Sequence, residues 1–346
     1  MTSSALNHML ARAIQMSTKP ILISGAGISG LLLAQSLRSR GIPFEIYERD
    51  PAGSSRSQGY RIRLSSQGLD ALEAVLDPQA HQDFRAGCSN NGSGQILAYD
   101  ALTMEEKQFG GGGPPKGGGQ VLGVDRAFLR NQLLRGIEEV THFGKACTGY
   151  EVSPDGVIAK FADGTTSPEG AMLIGADGIY SKITQQLTNG RLKVYDTGAR
   201  MIHGSAPRAT YGQLAKGRFS AFSLQDMSNP AGKVAMITNF RDEPDTTHFG
   251  FVLVGGPGTF SAPNDDFSVS GQSAVDIAVD LTKNWSEDVR PILTEQKVED
   301  AAFLKMSTSD PAGVPGWENE PRVTLMGDAV HAMTPGGFLL GRLSWG

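Results

Sequence analysis

The stretch Pro20-Ile-Leu-Ile-Ser24-Gly25-Ala-Gly27-Ile-Ser-Gly30-Leu-Leu-Leu-Ala-Gln-Ser-Leu37 decides the architecture. Residues 20–24 form a short apolar run of strand type. From Ile28 onward apolar residues recur at helical spacing (Ile28, Leu31, Leu32, Ala34, Leu37) until Gly41 stops the pattern after Arg40. A second apolar run, residues 44–47, follows at once. A strand, a helix and a strand, with the first strand apolar throughout, open a parallel sheet covered on both faces. The junction is the hexapeptide Gly25-Ala26-Gly27-Ile28-Ser29-Gly30. In a G-x-G-x-x-G at this place the first glycine makes the tight turn, the second lets backbone approach a pyrophosphate, and the third lets helix meet strand. The helix N-terminus adds amide donors and a partial positive charge for the phosphates. Glu48 ends the second strand 23 residues after Gly25, where an acid accepts hydrogen bonds from an adenosine ribose.

Working outward, the 346 residues allow two domains or one elaborated one. There are 44 glycines, nearly twice the ordinary usage of about 7%. Seven of them fall in the low-complexity run 109–119, so much of the excess is loop. Lys and Arg total 31 against 36 acids, a net charge of −5. A nucleic-acid partner, which draws its affinity from released counterions, is not expected. The most apolar window, 21–37, is broken by serines and glycines, so no membrane span is expected. Cys88 and Cys147 offer neither a disulfide framework nor a zinc site. With no secretory h-region in residues 1–15, this points to a reducing, cytoplasmic setting. Residues 1–18 are expected to be a disordered leader, with Met16 as the functional start. A mitochondrial leader is the alternative, because the segment carries Arg12 and no acid.

Further along, residues 64–76 and 126–139 have helical periodicity, the latter led by Asp125 as an N-cap. Short strands are expected over 140–143, 148–153, 157–161 and 172–175, with Asp155-Gly156 and Asp163-Gly164 as hairpin turns. Residues 199–206, 218–225, 232–240 and 248–255 read as longer strands without intervening helices, a sheet laid over the nucleotide domain. Helices over 273–285 and 287–293 follow, and a last strand, 322–326, enters Gly327-Asp328.

Two further motifs sit at strand ends: Gly175-Ala176-Asp177-Gly178 and Gly327-Asp328-Ala329-Val330-His331-x-x-x-Pro335. Together with the G-x-G-x-x-G they resemble the FAD-dependent aromatic hydroxylases, class A flavoprotein monooxygenases of the p-hydroxybenzoate hydroxylase fold. The resemblance runs from Lys19 to Pro335. It implies an α/β fold: a Rossmann-like FAD-binding domain, 19–196 with 300–346, and an inserted sheet-rich substrate domain, 197–299. It implies FAD as cofactor and NAD(P)H as a transient donor, since no second G-x-G-x-x-G follows. The implied reaction is hydroxylation of a small aromatic or polyketide-like substrate by O2, of the kind met in secondary metabolism. Cofactor contacts are expected from Gly25, Gly27, Gly30, Glu48, Arg63, Arg126, Asp177, Gly178, Gly327 and Asp328. Asp328 would meet the ribityl hydroxyls, Arg126 would reach the cofactor from its helix, and Arg63, from Gly59-Tyr60-Arg61-Ile62-Arg63, would face phosphates. No catalytic acid or base is assigned. Among the histidines only His203, in the first long strand, is a candidate to lie near substrate, against the plainer reading of a strand histidine.

The sequence departs from the family at two places. Its Asp-Gly-x-x-Ser-x-x-Arg ends in Thr184 rather than Arg, with Lys182 as the nearby cation. After Pro335-Gly336-Gly337, Phe338, Leu340 and Arg342 occupy positions expected for Gly, Gly and Asn. The expectation is a C-terminally truncated member lacking the helix over the flavin. Two alternatives stay open: a same-fold flavin oxidoreductase without oxygen insertion, and an inactive product that holds FAD weakly.

Overall fold

The computed structural model describes residues 19–53, 61–90, 97–107, 121–210, 222–226, 234–239, 247–260 and 269–334. The leader 1–18, the glycine run 109–119 and the departure after Pro335 lie outside the described residues.

Strand Ile21–Ser24 is the centre of a five-stranded parallel sheet, ordered Val323–Leu325, Met172–Gly175, Ile21–Ser24, Phe44–Glu48, Thr141–Phe143. Ile21 stands opposite Phe44 on one side and Met172 on the other. Both faces are covered, as the uninterrupted apolar run requires. On one face Ile23 and Ile46 pack with Leu31 and Ala34 of helix Ile28–Arg38 and with Leu129 and Leu133 of helix Arg126–Leu134. On the other, Leu22, Tyr47 and Leu173 pack against Val157, Ala159 and Phe161. Those three belong to the hairpin Cys147–Val152 with Val157–Phe161, which Asp155-Gly156 turns as expected.

The helix expected over 126–139 is shorter. Asp125 caps it, accepting from the Phe128 N–H at 2.8 Å, but it stops at Leu134. Gly136 takes a left-handed φ of 74°, and Glu138–Val140 continue as a single 3-10 turn.

The second layer is a seven-stranded sheet, and it is wider than 197–299. Strand Tyr195–Pro207 pairs with both His248–Gly255 and Ala302–Thr308. On the far side, Val234–Asn239, Phe222–Asp226, Leu97–Asp100 and Glu106–Lys107 complete the order. Helices Gln272–Leu281 and Arg290–Thr294 cover one face through Ile202, Phe251, Phe303, Trp285 and Ile292. The opposite face carries Ala199, Met201, Val254 and Met306.

Candidate functional site

The chain leaves Ile21–Ser24 for Phe44–Glu48 on one side and returns to Met172–Gly175 on the other, so the carboxyl end of the first strand is a topological switch point, where open α/β sheets bind ligands. A cleft of about 1090 Å³ opens there. That volume lies at the upper end for ligand pockets, which run to about 1,000 Å³. Of the expected site residues, Gly25, Gly27, Glu48, Arg126, Asp177, Gly178 and Asp328 line it. Gly30 lies buried beneath the turn and Gly327 behind Asp328. Arg63 stands in strand Arg61–Leu64 opposite Gly123, and its side chain lies outside the described residues.

The three glycines of the turn do three different jobs. Gly25 has a φ of 108°, and a Cβ there would sit 2.4 Å from the Ala176 carbonyl oxygen; at Gly30 it would sit 2.2 Å from that of Gly25. At Gly27 a Cβ would meet nothing within 4 Å. The first and third are demanded by the protein's own packing, while the second faces open cleft.

Glu48 is 8% exposed. Its Oε2 accepts the Ala26 N–H at 2.8 Å and its Oε1 the Asp50 N–H at 2.9 Å, so the expected ribose acid also braces the turn. The other end of the Ala26 residue is held by Arg130, whose Nε donates to the Ala26 carbonyl at 2.9 Å. Sequence reasoning assigned Arg126 to the cofactor and passed over Arg130. The four-residue spacing that puts both on one helix face was the signal that could have found it.

Asp177 follows the strand Met172–Gly175. Its Oδ2 accepts the Lys182 N–H at 3.2 Å, while Oδ1 is buried with no hydrogen-bond partner among the described residues. Burial pushes its carboxyl above the ordinary range. Cys147 also lines the cleft, its thiol pushed up by burial. Lys182 is exposed and lines the cleft, whereas Thr184, at the position expected for arginine, is buried and hydrogen-bonded.

Asp328 opens the four-residue helix Asp328–His331, and His331 ends it exposed. Gly327 has a φ of 60° and packs on Ser29: a Cβ there would lie 2.4 Å from the Ser29 hydroxyl oxygen. His203 is not part of the cleft lining. It is buried in Tyr195–Pro207 with Nδ1 3.3 Å from the Asp300 carbonyl oxygen. No group of metal-ligating side chains occurs among the described residues, and no helix among them is long and apolar enough to cross a membrane.

No family model matches the chain. Curated relatives do. A dual O-methyltransferase/FAD-dependent monooxygenase of Phaeosphaeria nodorum is 33% identical over 92% of this chain and 38% of its own length. An FAD-dependent monooxygenase of Trichoderma harzianum is 30% identical over 91% of this chain and 77% of its own. The chain thus spans only about two fifths of the length of the dual-function relatives. Among solved structures, 2,6-dihydroxypyridine-3-hydroxylase from Arthrobacter nicotinovorans matches with a TM-score of 0.69, covering 94% of this chain and 80% of that one at 19% identity, a likeness of fold.

Proposed function

The chain belongs to the FAD-dependent monooxygenases, and from that premise we propose that it holds FAD in the cleft and uses NAD(P)H and O2 to hydroxylate a small aromatic or polyketide-like substrate. Bound there, the flavin supplies hydride acceptance and O2 activation. The amides at the start of helix Ile28–Arg38 receive the pyrophosphate across Gly27, and Glu48 accepts from the ribose while keeping the Ala26 turn in shape. Arg126 adds positive charge, and Asp328 accepts from the ribityl hydroxyls. Asp177, with Gly178, shapes the crevice that holds the pyrophosphate. We take the location to be cytoplasmic. Cys88 and Cys147 are both free thiols, which fits a reducing compartment.

The observation that supports this reading best is the meeting of an open glycine position and an unpartnered carboxylate oxygen at the switch point. Gly27 leaves room where a phosphate would lie, and the buried Asp177 Oδ1 wants a donor that a ligand can bring. The test is purification with FAD followed by turnover on a panel of electron-rich aromatics. Bound yellow flavin, with O2 consumed in step with hydroxylated product, is the expected result. NAD(P)H oxidation with no product would make the protein a flavin oxidoreductase without oxygen insertion, and a colourless protein that binds no FAD would refute the reading.

A further inference from the structure

The turn that carries Asp328 is braced from outside it. Helix Asp328–His331 is a single turn, and the Val330 and His331 N–H groups both donate to the Gly327 carbonyl that precedes it. So short a helix leaves its later carbonyls without intrahelical partners. Side chains from elsewhere satisfy them. The Thr184 hydroxyl donates to the Ala329 carbonyl at 2.7 Å. Beyond the helix, Ala332 donates its N–H to the Ser309 hydroxyl, and its carbonyl accepts from the Ser309 N–H and the Thr308 hydroxyl.

Thr184 is itself fixed. It is 5% exposed, its N–H donates to the cap residue Ser181 at 2.9 Å, and its carbonyl accepts from the Thr188 hydroxyl at 2.8 Å. It sits on helix Lys182–Leu187, whose first N–H is held by Asp177. One buried hydroxyl therefore joins the element beside Asp177 to the peptide next to Asp328, across 145 residues of chain.

We infer that Thr184, standing where the family pattern has arginine, is a positioning residue: by holding the Ala329 carbonyl it fixes Asp328 at the flavin end of the cleft. The inference rests on the FAD reading above. Its consequence is confined to one half of the dinucleotide. The adenosine and pyrophosphate half is addressed by Gly25, Gly27 and Glu48, none of which touches Thr184, and by Asp177, which meets that helix through the Lys182 N–H and not through the Thr184 hydroxyl, so ADP should not sense the hydroxyl.

The test is calorimetric titration of the full chain with FAD and with ADP. Thr184→Val keeps the volume and strands the Ala329 carbonyl. It should weaken FAD by about 5- to 150-fold, the range for an unpaired buried acceptor, and leave ADP affinity within about twofold. Thr184→Ser should restore FAD binding. In an Asp328→Ala background, Thr184→Val should add no further loss, as expected for a residue acting through Asp328. Equal loss of FAD and ADP, unchanged FAD affinity, or an undiminished effect in the Asp328→Ala background overturns the inference. Failure of the unaltered protein to bind either ligand overturns the FAD reading itself, and is distinguishable because no substitution is involved.

Discussion

The parallel sheet and the seven-stranded sheet carry their chemistry in different places. In the first, the motif residues that line the cleft cluster at or just beyond strand ends, where backbone direction is set by tight turns: Gly25 and Gly27, Glu48, Asp177, and Asp328 at the start of its short helix. In the second, the candidate residue, His203, lies along a strand, opposite Val252 and Ala302 of distant strands and beside the Asp300 carbonyl. A phosphate cradle constrains the backbone, and backbone constraints select glycine at fixed spacing. A substrate wall constrains only shape and polarity, which many residues can supply. The difference can be attacked from either side.

The largest expected effect separates two glycines two residues apart. Gly25→Ala places a Cβ at a left-handed φ and 2.4 Å from a carbonyl oxygen. It should cost roughly 3 kcal/mol or more of folding stability, from backbone strain plus overpacking. Gly27→Ala, with open space and an ordinary extended backbone, should change stability by less than about 0.5 kcal/mol yet lose most FAD and ADP binding. Thermal melts and titrations of the two variants check both statements. If Gly27→Ala destabilises the free protein as Gly25→Ala does, the second glycine serves packing and the cleft is not a phosphate site.

Next in size is Glu48→Ala. Loss of a charge-assisted hydrogen bond to the ribose should weaken FAD by roughly 1.5–3 kcal/mol. Because the same carboxylate accepts from Ala26 and Asp50, the free protein should also melt earlier. Glu48→Gln, which keeps an acceptor for the turn, should recover more of the melting temperature than of the affinity. An affinity unchanged by either substitution would remove Glu48 from the ligand and leave it only a brace.

Legibility in the sequence follows the same division. Strand Ile21–Ser24, the glycine turn and Glu48 stand where local spacing puts them, because strand, turn and helix there are determined within thirty residues of chain. The pairing of Leu97–Asp100 and Ala302–Thr308 into the seven-stranded sheet was not legible. Nothing local marks a strand's partner a hundred residues or so away. The roles of Arg130 and Thr184 were hidden for a related reason. Both act through side-chain bonds to backbone carbonyls 104 and 145 residues distant, of Ala26 and Ala329, and a carbonyl has no sequence signature.

The smallest expected effect lies in the seven-stranded sheet and concerns acid. Burial pushes the His203 imidazole below its ordinary value of 6.5, and this outweighs the Asp300 carbonyl and the Asp300 and Asp125 carboxylates, which favour the proton. The folded protein then binds fewer protons at this site than the unfolded chain does. Its stabilising contribution is complete above pH 6.5 and is lost as the pH falls through that value toward the lower folded one. His203→Gln, which cannot titrate, should flatten the melting profile over that window while leaving FAD affinity unchanged, since His203 does not line the cleft. Melting curves of both proteins between about pH 7.5 and 5 test this. A slope the substitution does not alter would mean that the imidazole is solvated, and that this face of the sheet is open to water and to substrate rather than packed shut.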